Sequence, residues 1–509
     1  MRKIILFISL GIISYSAWCQ NSFKNETEVS TLITNVMLID GTGTPARKAA
    51  VRFFGKKIIA VGTLVALKGE AVIDGKGKVL APGFIDSHSH VGSSLANEPE
   101  AIADLNQGVT TIVSGQDGYG SYIDSIKAGI NRKPIAINIA TYTGHTDLRE
   151  QILGKDRLNR PATDNEIIAM QEILLSELKK GSLGLSTGLE YEGAYFSSYN
   201  EVLQLAKTAA TEKSRYISHI RSEDIALTDA LSEIIKIGEE AKLPVQISHI
   251  KLALKDDWGK SPEILALLQK ARSNDIDITA DCYPYEFWYS TLKVLFPKTD
   301  YTNAVSAQYA VDHTFDPSQS VLVHFAANTN YAGKTISEIA NIRHEKTAQT
   351  LMGLIVEADA YEKKYPNATG IEGIMAKSMT DIDVINFLSW ANTNICSDGS
   401  NGGHPRGFGS FTRILGYYVR EKKIMSLEQA IQKMTSLSAE HTGIKNRGLI
   451  ASGYFADLVL FDPATVKDNA TIKNSKAIST GIEKVWVNGI CVFENQQSTK
   501  KFPGVFISR

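Results

Sequence analysis

Cysteine is scarce in this chain: four among 509 residues, at positions 19, 282, 396 and 491. So few, set so far apart, exclude a disulfide framework. Cys282 and Cys396 lie within apolar strand-like runs and read as small buried hydrophobes. An excess of one charge is also missing. Lys and Arg total 54 against 55 Asp and Glu, a formal net charge of −1 with a pI near 6.8, so neither a nucleic-acid partner nor a polybasic membrane contact is indicated. No Gly-rich phosphate-binding turn follows the first strand of the α/β region, which counts against a doubly wound nucleotide-binding sheet. The apolar run at residues 4–13 is too short to span a bilayer.

That run follows Met1-Arg2-Lys3 and precedes Ser16-Ala17-Trp18-Cys19-Gln20, the pattern of a secretory leader over residues 1–19. Cleavage before Gln20 puts Ala17 and Cys19 at the small-residue positions, and bulky Trp18 argues against a lipid anchor on Cys19. The expectation is an exported protein, periplasmic or secreted, without a stable membrane anchor.

The remaining chain changes rhythm twice. Residues 26–80 hold short β-branched runs bounded by turns, such as 31–40, 50–54, 57–62 and 71–75. From about residue 81 to 445, apolar strands at 82–88, 109–114, 134–141, 181–187, 215–219, 244–249, 277–283 and 393–398 alternate with helical patterns at 165–180, 199–212, 224–242, 261–274 and 380–391. Eight strands with intervening helices predict an α/β fold, a TIM-like (β/α)8 barrel. Residues 295–379 exceed an ordinary loop and predict an inserted subdomain between the seventh and eighth strands, with strand-like runs at 320–324 and 354–357. After a helix at 426–442, β character returns over 446–500, so both chain ends are expected to build one small composite β-sandwich.

The chemistry starts at Pro82-Gly83-Phe84-Ile85-Asp86-Ser87-His88-Ser89-His90. A strand has a side-chain period of two, so His88 and His90 face one side. Two converging neutral nitrogen donors suit Zn²⁺ and similar divalent metals. Barrel enzymes draw their catalytic groups from the C-terminal ends of several strands. The fifth strand ends in His219, the sixth in His249 and the eighth in Asp398. One or two zinc ions are therefore expected, with Asp398 as the catalytic carboxylate. The cationic and hydroxyl side chains Arg221, Lys251, Tyr283, Ser290 and Arg406 are the candidates to bind a substrate. His145, near the third strand end, reads as support for the site.

These stretches, with Gly144-His145-Thr146-Asp147, Ser218-His219-Ile220-Arg221, Ile247-Ser248-His249-Ile250-Lys251, Asp281-Cys282-Tyr283-Pro284-Tyr285 and Cys396-Ser397-Asp398-Gly399, resemble the amidohydrolase superfamily, and within it the D-aminoacylase (N-acyl-D-amino-acid deacylase) family. The resemblance spans residues 30–495. It implies a barrel with a composite β-sandwich and metal-dependent hydrolysis of N-acyl-D-amino acids to a carboxylate and a free D-amino acid. A metallo-dipeptidase acting on D-residue or isomeric dipeptides, a cyclic-amide hydrolase and a non-catalytic exported binding protein on the same fold are the alternatives. One departure stands out. Where the family places a metal-ligating cysteine after the second strand, this chain reads Gly115-Gln116-Asp117-Gly118. Asp117 offers an oxygen ligand there. Glu190, just past the fourth strand, is the preferred bridging carboxylate, because that strand supplies the bridge elsewhere in the superfamily.

Overall fold

The computed structural model describes residues 29–400 and 402–509; the leader expected over residues 1–19 lies outside them. The barrel strands run in the expected order: Phe84–Asp86, Val109–Ser114, Asn138–Thr141 continued by Thr143–Gly144, Gly184–Gly188, Arg215–His219, Val245–Ile247, Ile278–Cys282 and Thr393–Ile395. All neighbouring pairs are parallel. The third strand breaks at Tyr142, so the hydrogen-bonded ladder falls into one sheet of three strands and another of six. Two seams join them. Leu183 N–H donates to Thr141 O at 2.9 Å on one side. On the other, Asp398 N–H donates to His88 O and His90 N–H to Gly399 O, each at 2.9 Å. The second seam brings the first and eighth strand ends together, where the sequence concentrates its metal ligands.

The chain ends form one continuous nine-stranded sheet. Val79–Pro82 belongs to it, pairing with Leu458–Phe461, so the run expected as a single first barrel strand is split between two sheets. Gly83 makes the crossing: a Cβ there would lie 2.3 Å from Thr110 Cγ2. Strand alternation divides the sheet's two faces. Val79, Ala81, Val459 and Phe461 pack on the barrel core. Leu80, Leu458, Leu460 and Trp486 close over Ile33, Val51 and Phe53 in a separate core.

The insert holds an antiparallel sheet of Phe287–Ser290, Glu372–Lys377, Val321–Phe325 and Lys334–Thr335. It begins nearer residue 287 than 295. The run at 354–357, expected as a strand, is part of the helix Thr347–Lys364. Ala348, Leu351, Leu354, Ile355 and Ala358 are buried at three- and four-residue spacings, so packing of a helical stripe overrides the short β-branched signal. The helix expected over 426–442 is two, Leu427–Met434 and Ser436–Thr442. Thr435, at φ −133°, breaks it, and Ser436 Oγ donates at 2.6 Å to Gly41 O in the bend after the strand Thr31–Leu38.

Candidate metal centre

The residues after the barrel strands converge as expected. His88 and His90 follow the first strand, Asp117 the second and Asp398 the eighth. His219 closes the fifth strand and His249 follows the sixth. Asp117 lies at the middle. Its Oδ1 is 3.5 Å from His88 Nε2 and 3.4 Å from His249 Nε2, and its Oδ2 is 3.4 Å from His90 Nε2. Asp398 Oδ1 closes the group, 3.1 Å from His90 Nε2 and 3.5 Å from His88 Nε2. One potential ligand atom from each of His88, Asp117, His249 and Asp398 lies within 4.8 Å of the others, and His219, Glu223 and His249 form an adjoining group. Asp117, His249 and Asp398 all hold left-handed backbones, φ +56°, +34° and +47°. Such conformations cost roughly 1–3 kcal/mol each in a non-glycine residue and cluster at functional sites; here each turns a side chain inward from a strand end.

Both ring nitrogens of His88 and Oδ1 of Asp117 are buried without a hydrogen-bond partner. Buried polar atoms are ordinarily satisfied. His88 Nδ1 faces Asp281 Oδ1 at 3.7 Å, whereas His88 Nε2 and Asp117 Oδ1 face one small space that a divalent cation would complete, and an all-nitrogen-and-oxygen donor set suits zinc. Neighbouring groups orient the ligands. His249 turns Nδ1 to Glu223 Oε1 (3.1 Å) and to Lys251 Nζ (2.6 Å), leaving Nε2 for the centre. Asp281 accepts from His249 N–H at 2.6 Å and from Gln246 Nε2 at 2.7 Å, tying the sixth strand end to the seventh. Tyr191 lies against the His219 ring, centroids 4.3 Å apart.

Electrostatics matches the geometry. Burial pushes the Asp117 carboxyl up, but His88 and His249 outweigh it and hold it well below the ordinary carboxylate range. Burial and Lys251 push His249 down, and Glu223, Asp117 and Asp398 overcome them, raising it to about 9. Asp398 resists burial in the same way. Arg406, then His249 and His88, keep it ionised far below its usual value, and Arg406 Nη1 sits 2.7 Å from its Oδ2.

The ligands open onto a cavity of about 510 Å³, walled on the insert side by Trp288, Tyr289, Ser290, Val294 and Thr314. Ser290, Lys251 and Arg406 line it. Lys251 is not a free cation there: its ammonium donates to both Glu223 oxygens at 2.7 and 2.8 Å. Tyr283 is buried beneath Arg406, whose guanidinium sits 4.8 Å from the ring centroid. Arg221 is held elsewhere by a two-pronged pair with Glu233, both contacts 2.8 Å; a cation two residues past a strand end turned to a helix carboxylate instead of the cavity. Glu190 lies beside the group rather than between its members. Its Oε2 is 2.8 Å from His219 Nε2 and its Oε1 accepts from Glu223 N–H. Glu190, the carboxylate expected to bridge, reaches one imidazole, whereas Asp117 reaches three. His145 pairs with Glu201 (2.9 Å) among buried residues with Arg149, apart from the ligands.

Residues 71–361 and 377–493 match the amidohydrolase family. The chain belongs to that family. This amidohydrolase is 31% identical to the D-aminoacylase of Alcaligenes xylosoxydans xylosoxydans, over 94% of its own length and 97% of the relative's. It is 32% identical to the N-acyl-D-aspartate deacylase of the same organism, over 93% and 94% of the two chains. Among solved structures, the N-acyl-D-glutamate deacylase of Bordetella bronchiseptica, complexed with zinc and a phosphonate mimic of the tetrahedral intermediate, superposes with a TM-score of 0.83 at 29% identity, covering 95% of this chain and all of the other. The resemblance read from the strand-end motifs is borne out over nearly the whole chain. Glu223 and Asp281 escaped that reading. Each sits in a quoted motif or two residues beyond one, yet only the folded chain places Glu223 against two histidines and Lys251.

Proposed function

We propose that this amidohydrolase cleaves the amide bond of N-acyl-D-amino acids, releasing a carboxylate and a free D-amino acid. The observation that carries the reading is Asp117 and Asp398 set among His88, His90 and His249 at the mouth of a cavity that also carries Ser290, Lys251 and Arg406. Relatives of nearly equal length that act on N-acyl-D-amino acids support it. His88, His90, Asp117, His219 and His249 are the residues to hold one or two zinc ions, with Asp117 between the histidines. Bound zinc supplies acidified water, its pKa brought toward about 7, and polarisation of the scissile carbonyl.

The chain's own groups do the rest. Oδ1 of Asp398, kept ionised by Arg406, accepts the proton of the attacking water and passes it to the leaving amide nitrogen. The wall with Ser290 and Arg406 receives the substrate carboxylate, and the insert shields the reacting bond from bulk water. Asp398→Asn tests the assignment: metal content by mass spectrometry should stay at the wild-type value while turnover of N-acetyl-D-amino acids drops about 10²–10⁴-fold. Full activity in that variant, or wild-type activity confined to N-acetyl-L-amino acids, would overturn it.

We also propose that the protein works outside the cytoplasm, supported by the charged start, apolar run and small residues of positions 1–19. The mature chain should begin at Gln20 by N-terminal sequencing; an acylated Cys19 would refute the soluble form.

A further inference from the structure

Beside His90 a second cavity of about 590 Å³ opens. It shares His90 and Tyr119 with the first, so the two adjoin at one of the proposed metal ligands. Their linings differ. The first carries Lys251, Arg406 and several carboxylates. The second has an aliphatic strip of Leu95, Ile126, Ile130, Ile135 and Ile139. Serines 89, 93, 114, 121 and 125 lie among these residues; the charged groups of the lining are Asp147, whose carboxylate accepts from Gly120 N–H, and the exposed Arg132 and Lys133.

The helix Ile123–Arg132 presents Ile126, Gly129 and Ile130 to this space, a three- and four-residue spacing that defines one face. Gly129 is the telling position. It sits inside a helix, where glycine weakens the structure, and a Cβ there would meet nothing within 4 Å. No close approach or positive φ demands glycine; its effect is to leave the cavity open.

A scissile amide has two substituents, and two cavities adjoin at His90, one holding most of the site's charged groups and the other the aliphatic strip. We infer that the aliphatic cavity is the acyl subsite and takes an unbranched, medium-length acyl chain. On the deacylase reading above, on which this inference rests, the favoured substrates are N-octanoyl-type rather than N-acetyl D-amino acids. A volume of this size lies within the range of ligand pockets, roughly 300–1,000 Å³. Each methylene buried there improves kcat/KM by up to about fourfold.

The test is a series of N-acetyl-, N-butanoyl-, N-octanoyl- and N-succinyl-D-leucine on the zinc-loaded protein, with Gly129→Ala and Gly129→Leu as variants. Both replacements are better helix formers than glycine, and circular dichroism checks their fold. The wild-type octanoyl-to-acetyl ratio of kcat/KM should exceed ten. Gly129→Leu should cut that ratio at least tenfold, and Gly129→Ala by less. Calorimetric binding of octanoate should weaken in the same order. A ratio near one, a ratio unmoved by Gly129→Leu, or succinyl as the best acyl group overturns the inference. Absence of turnover on every acyl length would sink the deacylase reading instead; octanoate that still binds wild type and is lost from Gly129→Leu would uphold the aliphatic subsite by itself.

Discussion

Neutralising Asp117 should do far more harm to metal binding than neutralising Glu190. Asp117 presents its carboxylate to three imidazoles at 3.4–3.5 Å, whereas Glu190 reaches one, His219, at 2.8 Å. A unit charge pair at 3.5 Å contributes about 5 kcal/mol at an effective dielectric near 20. Asparagine keeps an oxygen dipole in place, and if roughly half of that interaction survives, the loss is about 2–3 kcal/mol, or about a hundredfold in the zinc dissociation constant. Glu190→Gln removes a carboxylate at the margin, still backed by Glu223 N–H, and should weaken zinc by about tenfold or less, the lower end of effects from ligand-orienting partners. Competition against a chromophoric chelator measures both constants, with metal counted per chain. Wild-type zinc affinity in Asp117→Asn beside a large loss in Glu190→Gln would refute the central placement of Asp117.

Three further outcomes follow from particular contacts. Arg406→Lys keeps the charge but loses the planar group that reaches Asp398 Oδ2 while lying over Tyr283; kcat/KM for N-acyl-D-amino acids should fall by about 10–100-fold, and an unchanged value would remove Arg406 from the site. Glu201, whose carboxyl burial pushes up but His145 and Arg149 pull down to about 2, starts from about 4.3 when unfolded. Its folded value is depressed, so its contribution of roughly 3 kcal/mol is present above pH 4.3 and disappears as pH falls toward 2; urea titrations should show that acid limb flattened in Glu201→Gln. Gly83→Ala places a methyl 2.3 Å from Thr110 Cγ2 and should cost about 1–3 kcal/mol in chemical denaturation, with part restored by adding Thr110→Ala.

The strand-end ligands were legible because position along a parallel barrel strand is itself a spatial coordinate. His88, His90, His219, His249 and Asp398 each close or follow a β-branched or apolar run, and such ends share one face of the barrel whatever the loops do. The insert was legible from length alone. Its helix at Thr347–Lys364 was not, because the three apolar residues Leu354, Ile355 and Val356 carry the same local pattern in a strand or a helix until a partner surface selects one.

What the chain order determined by itself is therefore the barrel, the return of both ends to one small β-domain, and the set of histidines and carboxylates available to a metal. Tertiary structure alone decided which carboxylate stands among those histidines. Asp117 and Glu190 both lie two or three residues beyond a strand, and local sequence weighs them nearly alike; the left-handed turn at Asp117 sends one carboxylate to the centre. The same holds for the cations. Arg221 and Lys251 each follow a strand-end histidine by two, yet Glu233 claims the first and Glu223 the second, since a buried charge is settled by the partner that folding brings within reach.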